Sequence, residues 1–265
     1  MRRRAVACGV LVAAGLVGSA AAAPLQAQLS EAVRDIDEGS LRFGFEARPD
    51  VEVCANGIRM GEDRIRWRNT DGMNEEGRCE RGWVVVEVLV GSGVVREVEV
   101  LRASDPGRDG GVDLGAVDAA DATEYLLSLA HEGATDDAAE AAILPAMLAQ
   151  TEDVWPELIE IARDRSVDDG VRKSALFWVG QEAAEAVTQE LTHVALDDDE
   201  DQDIRNAAIF ALSQRNDEGS VSTLMDIART GEQAETRKSA MFWLAQSDDP
   251  RVVRFFEDVL LGRIR

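Results

Sequence analysis

Lysine, histidine, cysteine and tyrosine are all scarce in this chain of 265 residues: two lysines, two histidines, three cysteines and one tyrosine stand against 51 aspartates and glutamates. Each scarcity closes off a class of function. Lys173 and Lys238 are the only lysines, so positive charge is almost all arginine, and a net charge of −23 makes nucleic acid and anionic membrane surfaces poor partners. The two histidines, His131 and His193, lie far from the cysteines and from each other, with no ligand spacing, so no C2H2 zinc site is expected. HExxH, GxSxG, P-loop and Rossmann fingerprints are missing. The sequence therefore offers no catalytic residue, no metal and no cofactor, and it reads as a non-enzymatic protein.

Long apolar runs are missing too, with one exception. Arg2, Arg3 and Arg4 precede an uncharged Ala/Val/Gly/Leu run over residues 5–23, followed by small residues that suit a signal peptidase. Residues 1–27 are expected to be a cleaved signal peptide, with the cut after Ala22, Ala23 or Ala27, placing the mature protein in the periplasm or outside the cell. An uncleaved anchor is the competing reading, but the Ala and Gly content makes the run weakly apolar for a bilayer, so no stable membrane insertion is expected after cleavage. Removing the leader leaves Cys54 and Cys79. In an oxidising compartment an even pair is expected to form a disulfide.

The mature chain divides into two parts of different period. Residues 28–115 are expected to form a small β domain with a linker: Leu41, Phe43, Phe45 and Ala47 alternate, as do Ile65 and Trp67. Trp83 to Val90 and Val94 to Leu101 are β-branched runs joined by Gly91-Ser92-Gly93, whose glycines can supply the positive φ angles of a tight hairpin. Residues 69–81 form a polar stretch that the disulfide would pin. The segment 105–111, DPGRDGG, is expected to start the linker to a helical half over residues 116–265.

Three segments of that half align in register: VRKSALFWVGQ from Val171, IRNAAIFALSQ from Ile204 and TRKSAMFWLAQ from Thr236. Arg, Ala, Phe and Gln recur at offsets of 33 and then 32 residues, the signature of stacked repeats. Each copy follows another amphipathic stretch, at 155–163, 184–196 and 220–229. A degenerate earlier unit is expected over 125–130 and 138–150, and a capping helix over 252–261. A helix, an acidic turn and a second helix opening with an aliphatic residue and Arg resemble the HEAT repeat, in the short form also found among phycobilisome lyase relatives. With the signal peptide and the β domain, the chain is similar to secreted bacterial proteins with carboxy-terminal HEAT-like repeats. The resemblance implies an α-solenoid following a disulfide-linked β domain, an α+β multidomain fold, and binding of a protein or peptide partner.

Helical spacing sorts the repeated positions. Val171, Ala175, Trp178 and Val179, flanked by Leu176, should face the partner helix of the repeat. Lys173, Phe177 and Gln181 fall on the opposite side, matched by Asn206, Phe210 and Gln214 and by Lys238, Phe242 and Gln246. Second helices line the concave surface of a HEAT solenoid, so these nine would form a stripe of aromatic and amide groups that grips the partner. The competing reading packs the three phenylalanines between adjacent repeats, with the glutamines closing the helix ends. From the resemblance, Arg172 and Arg205 are expected to tie neighbouring repeats through the turn aspartates Asp168 and Asp201; Arg237 has Gln233 at the corresponding place. The run DDDEDQD at 197–203 spaces Asp199, Asp201 and Asp203 like a calcium loop, but Ile204 stands where glycine is required and Phe210 where the closing Glu belongs. Carboxylates before a helix amino terminus are favoured by its dipole, which explains the run without an ion. The expected function is a non-catalytic adaptor of the bacterial cell envelope, or else a structural spacer whose β domain contacts cell wall or membrane components.

Overall fold

The computed structural model describes residues 25–55, 57–60, 65–66, 79–132, 134–151, 153–215 and 217–263. Almost all of the expected signal peptide, Trp67 and most of the polar stretch 69–81 lie outside them. Among the described residues no helix is long and apolar enough to cross a membrane.

A first helix, α1 (Leu25–Asp35), buries Leu29 and Val33. Eight strands follow among the described residues: β1 (Glu38–Glu46), β2 (Val51–Cys54), β3 (Gly57–Met60), β4 (Ile65–Arg66), β5 (Glu80–Arg81), β6 (Trp83–Gly91), β7 (Val94–Leu101) and β8 (Val112–Ala116). They make two four-stranded sheets, ordered β7-β6-β1-β8 and β4-β3-β2-β5. The Cys54–Cys79 disulfide joins the end of β2 to the residue before β5.

The larger sheet shows how the sequence pattern becomes packing. Leu41, Phe43 and Phe45 of β1 and Val84, Val86 and Val88 of β6 are fully buried. The hairpin is as expected in place, and its turn is two residues long, because Gly91 pairs with Val94. The positive φ angles fall on Ser92 (57°) and Gly93 (73°), with Gly91 still in the strand, which gives the primed turn that suits the strand twist. Gly44 lacks a side chain where the Trp83 indole crosses β1, so the ring lies against the backbone.

The segment 105–111 is not a linker. It folds over the outer face of the larger sheet and leads into β8, which pairs in parallel with β1. Its cause is the buried Glu87 in the middle of the β6 valine run. Glu87 accepts from the Ser40 hydroxyl at 2.8 Å and from the Arg108 backbone N–H at 3.0 Å, while Arg42 donates to the Asp105 carbonyl at 2.8 Å. A buried carboxylate needs such partners, and the loop supplies them.

Nine further helices follow among the described residues: α2 (Ala119–His131), α3 (Asp136–Leu148), α4 (Trp155–Arg163), α5 (Asp169–Gly180), α6 (Glu185–Leu196), α7 (Gln202–Gln214), α8 (Glu218–Thr230), α9 (Ala234–Leu244) and α10 (Pro250–Leu260). Several start on aspartate caps: Asp118 accepts from the Ala120 and Asp121 N–H groups, Asp168 from Gly170, Asp217 from Ser220 and Asp249 from Arg251. Four antiparallel pairs result, α2/α3, α4/α5, α6/α7 and α8/α9, with α10 after them. The first pair is the degenerate unit expected from the sequence. Second helices α3, α5, α7 and α9 pack closely on one another, whereas first helices α2, α4, α6 and α8 meet sparsely, so the stack closes toward the second-helix side.

The sheet and the stack share one hydrophobic core. Phe43 of β1 meets Tyr125 of α2 edge to face at 5.9 Å, and backbone bridges join Ala47 to Ala149 and Val95 to Ala134.

Candidate partner-binding face

The inward arc of α5 behaves as its spacing predicts: Val171, Ala175, Leu176, Trp178 and Val179 are all buried. On the other side, the nine stripe residues divide by repeat. Lys173, Phe177, Gln181, Asn206 and Phe210 are half-buried, while Gln214, Lys238, Phe242 and Gln246 are exposed, Phe242 to 58%. The rings form a continuous ladder across the second helices. Phe177 stacks on Phe210 at 6.3 Å with planes 16° apart, and Phe210 meets Trp243 at 4.8 Å. Phe242 is not the next rung. It packs edge to face on Trp243 at 5.1 Å and presents its ring outward. Trp243 takes the rung because it lies one residue on from Phe242, a helical step of about 100° toward α7. Its counterpart Trp178 similarly packs edge to face on Phe177 at 5.3 Å.

The amides are tethered locally. The Gln181 side chain donates to the Phe177 carbonyl at 3.4 Å, Asn206 accepts from Gln202 at 3.0 Å, and Gln214 donates to Ser213 at 3.3 Å. Lys173 faces Asp203 of the next repeat at 3.9 Å, and Lys238 pairs with Glu235 at 2.6 Å. The stripe is thus an aromatic spine between repeats, rimmed by amides and by charges of both signs.

Arg172 and Arg205 do join repeats, through partners other than Asp168 and Asp201. Arg172, 1% exposed, donates to the Ala162 carbonyl at 2.9 Å and to the buried Glu200 carboxylate of the next repeat at 2.5 Å. Arg205 donates to the Asp197 and Glu200 carbonyls and reaches Gln233 of the following repeat at 2.7 Å. Asp168 instead caps α5, and Asp201 stands at the amino terminus of α7 without a side-chain capping bond. Asp201 is one residue too near the helix to meet the buried Arg172 guanidinium, which the residue before the cap, Glu200, reaches. Among the described residues Arg237 bonds within its own turn, to the Gly231 and Glu232 carbonyls. A further tie has no repeat counterpart: Arg215 donates to the Glu182 and Ala184 carbonyls of the preceding loop and pairs with Asp217 at 3.1 Å.

Among the described residues one cluster has ligand spacing, Glu52 with Cys54 and Cys79, and those cysteines are joined to each other. Hydrogen bonding from Arg81, then from Arg59, holds the Glu52 carboxyl below the usual carboxylate range. One concavity was not foreseen from the sequence. A cleft of about 1020 Å³ opens between the larger sheet and the stack, walled by Trp83, Leu127 and Val154 and edged by Glu46, Glu124 and Glu157. Trp83 was the available signal, since a tryptophan opening a valine strand leaves its large ring at the sheet's end.

No curated protein matches the chain. Residues 155–245, from the start of α4 to the residue after α9, match the family model of HEAT repeats, which identifies this part of the helical stack as a HEAT-repeat region.

Proposed function

We propose that the protein is a non-catalytic interaction scaffold of the bacterial cell envelope, holding a protein or peptide partner along the second-helix face of its HEAT repeats. HEAT repeats are protein-interaction modules in general, and the helical stack matches them. The observation that favours this face is the aromatic ladder, whose outer members stay open. Phe242 is exposed beside Gln246, with Gln214 on the neighbouring helix. An exposed aromatic ring flanked by amides is the composition of an interface anchor, giving apolar contact and directional hydrogen bonds together. Arg2, Arg3 and Arg4 ahead of the uncharged run over residues 5–23 support reading the start of the sequence as a secretory leader, and the proposal sets this binding outside the cytoplasm on that reading.

The ladder itself decides which residues can test the idea. Phe177 and Phe210 stack on each other and cannot be removed without loosening the repeats, so the probe belongs at Phe242. A photo-crosslinking amino acid in place of Phe242 or Gln214, in the native envelope, is expected to capture one recurring protein. The same group in place of exposed Glu160 on α4 is expected to capture none. Peptidoglycan or lipid alone at the first two positions would overturn the adaptor reading in favour of a spacer.

A further inference from the structure

The helix α10 is apolar over more of its surface than the stack covers. Val252 and Phe255 are buried, with Arg229 of α8 lying over the Phe255 ring at 5.6 Å, and Arg251 bonds to Ser222 of α8 at 3.2 Å. This is the contact a first helix makes with the first helix before it. The neighbouring arc carries Val253, Phe256 and Leu260 at i, i+3 and i+7. Val253 is 62% exposed and Leu260 85%, the latter the most exposed large apolar side chain among the described residues. In every preceding repeat the corresponding side of the first helix is covered by its second helix; α10 has no such partner among the described residues.

We infer that a second copy of this chain covers that arc, α10 packing antiparallel on α10 about a twofold axis near Phe256. Charge selects this occupant and this direction. Arg254 and Glu257 border the arc on one side, and neither makes an ion pair or a side-chain hydrogen bond among the described residues. Antiparallel packing sets Arg254 of each copy beside Glu257 of the other; in parallel packing this flank would face the opposite flank of the partner, and the two charges would not meet. Over residues 250–263 three arginines outnumber Glu257 and Asp258, so two chains that are each strongly acidic meet here without repulsion between carboxylates. A two-sided apolar helix with self-complementary flanks is the form an isologous interface takes.

This interface is separate from the second-helix face, and the two can fail independently. Sedimentation velocity on the purified, oxidised protein is expected to show a dimer, and Val253→Glu with Leu260→Glu to weaken it roughly a hundredfold by placing carboxylates in an apolar contact. Both positions are exposed in the single chain, so helix content and melting temperature should hold. Mixing Val253→Cys with Leu260→Cys protein under mild oxidation is expected to give the 253–260 disulfide between copies, read by peptide mapping. A monomer at tens of micromolar concentration, a dimer unaffected by the double variant, or disulfides joining 253 to 253 and 260 to 260 would each overturn the inference.

Discussion

The joint between α5 and α7 and the joint between α7 and α9 are built on the same repeated arginine and closed by different chemistry. Arg172 meets a carboxylate, Glu200, with both side chains out of water. Arg205 meets a neutral amide, Gln233, and takes most of its remaining bonds from backbone carbonyls. At the third position, Arg237 bonds to the Gly231 and Glu232 carbonyls of its own turn and reaches no other repeat among the described residues. The repeat thus conserves a donor at a fixed place on the second helix and leaves the acceptor free to vary. A buried ion pair and a charge-to-amide bond can hold similar geometry, but they respond differently when one partner is lost.

That difference gives the largest expected effect. Arg172→Leu should destabilise the protein by about 3 to 5 kcal/mol in urea denaturation, because Glu200 is left charged and buried. Adding Glu200→Leu should return most of that loss, since an apolar pair of similar volume is often as stable as the ion pair it replaces. No recovery in the double variant would mean that Arg172 acts through the Ala162 carbonyl rather than through charge. Gln233→Ala removes only one bond to Arg205, whose guanidinium keeps its carbonyl acceptors, and should cost about 1 kcal/mol. Equal losses from Arg172→Leu and Gln233→Ala would erase the contrast between the joints.

Why the sequence revealed one side of these joints and not the other follows from where each residue sits. Arginine recurs in register with Ala, Phe and Gln on a helix, so its place is visible by alignment. Glu200 lies in the acidic run 197–203, where several carboxylates are equally plausible partners and only the helix packing picks one. The same limit applied to the ladder: Phe177 and Phe210 align and do stack, but the third rung passed to Trp243, a choice between adjacent positions that depends on how α9 is rotated. In the β region the alternation of β1 and the β6/β7 hairpin were legible, while β8 and the covering loop were not. Glu87 was the overlooked signal, since a lone carboxylate inside a valine run must be met by something. The cleft beside Trp83 arises only where the sheet meets α2 and α4, and no local pattern encodes that meeting.

The smallest effect comes from a half-exposed version of the same device, buried Arg215 with part-exposed Asp217, which ties the α7–α8 turn to the loop before α6. Partial burial works against the Asp217 charge, but bonds from the Ser220 backbone and hydroxyl, together with the Arg215 guanidinium, leave its carboxyl below the ordinary aspartate value of 3.8. A carboxyl depressed in the folded state stabilises above its unfolded pKa, and that contribution disappears as the pH falls from about 4 toward the folded value. Asp217 is 45% exposed at its side chain, so water screens the pair and the contribution should stay below about 1 kcal/mol. Asp217→Asn keeps a capping side chain for α8 while removing the charge. Its stability should therefore lie below that of the wild type at pH 7 by less than about 1 kcal/mol, fall less steeply below pH 4 and converge with it at lower pH. An unchanged acid slope would show that the Arg215 carbonyl bonds, rather than its ion pair, hold this turn in place.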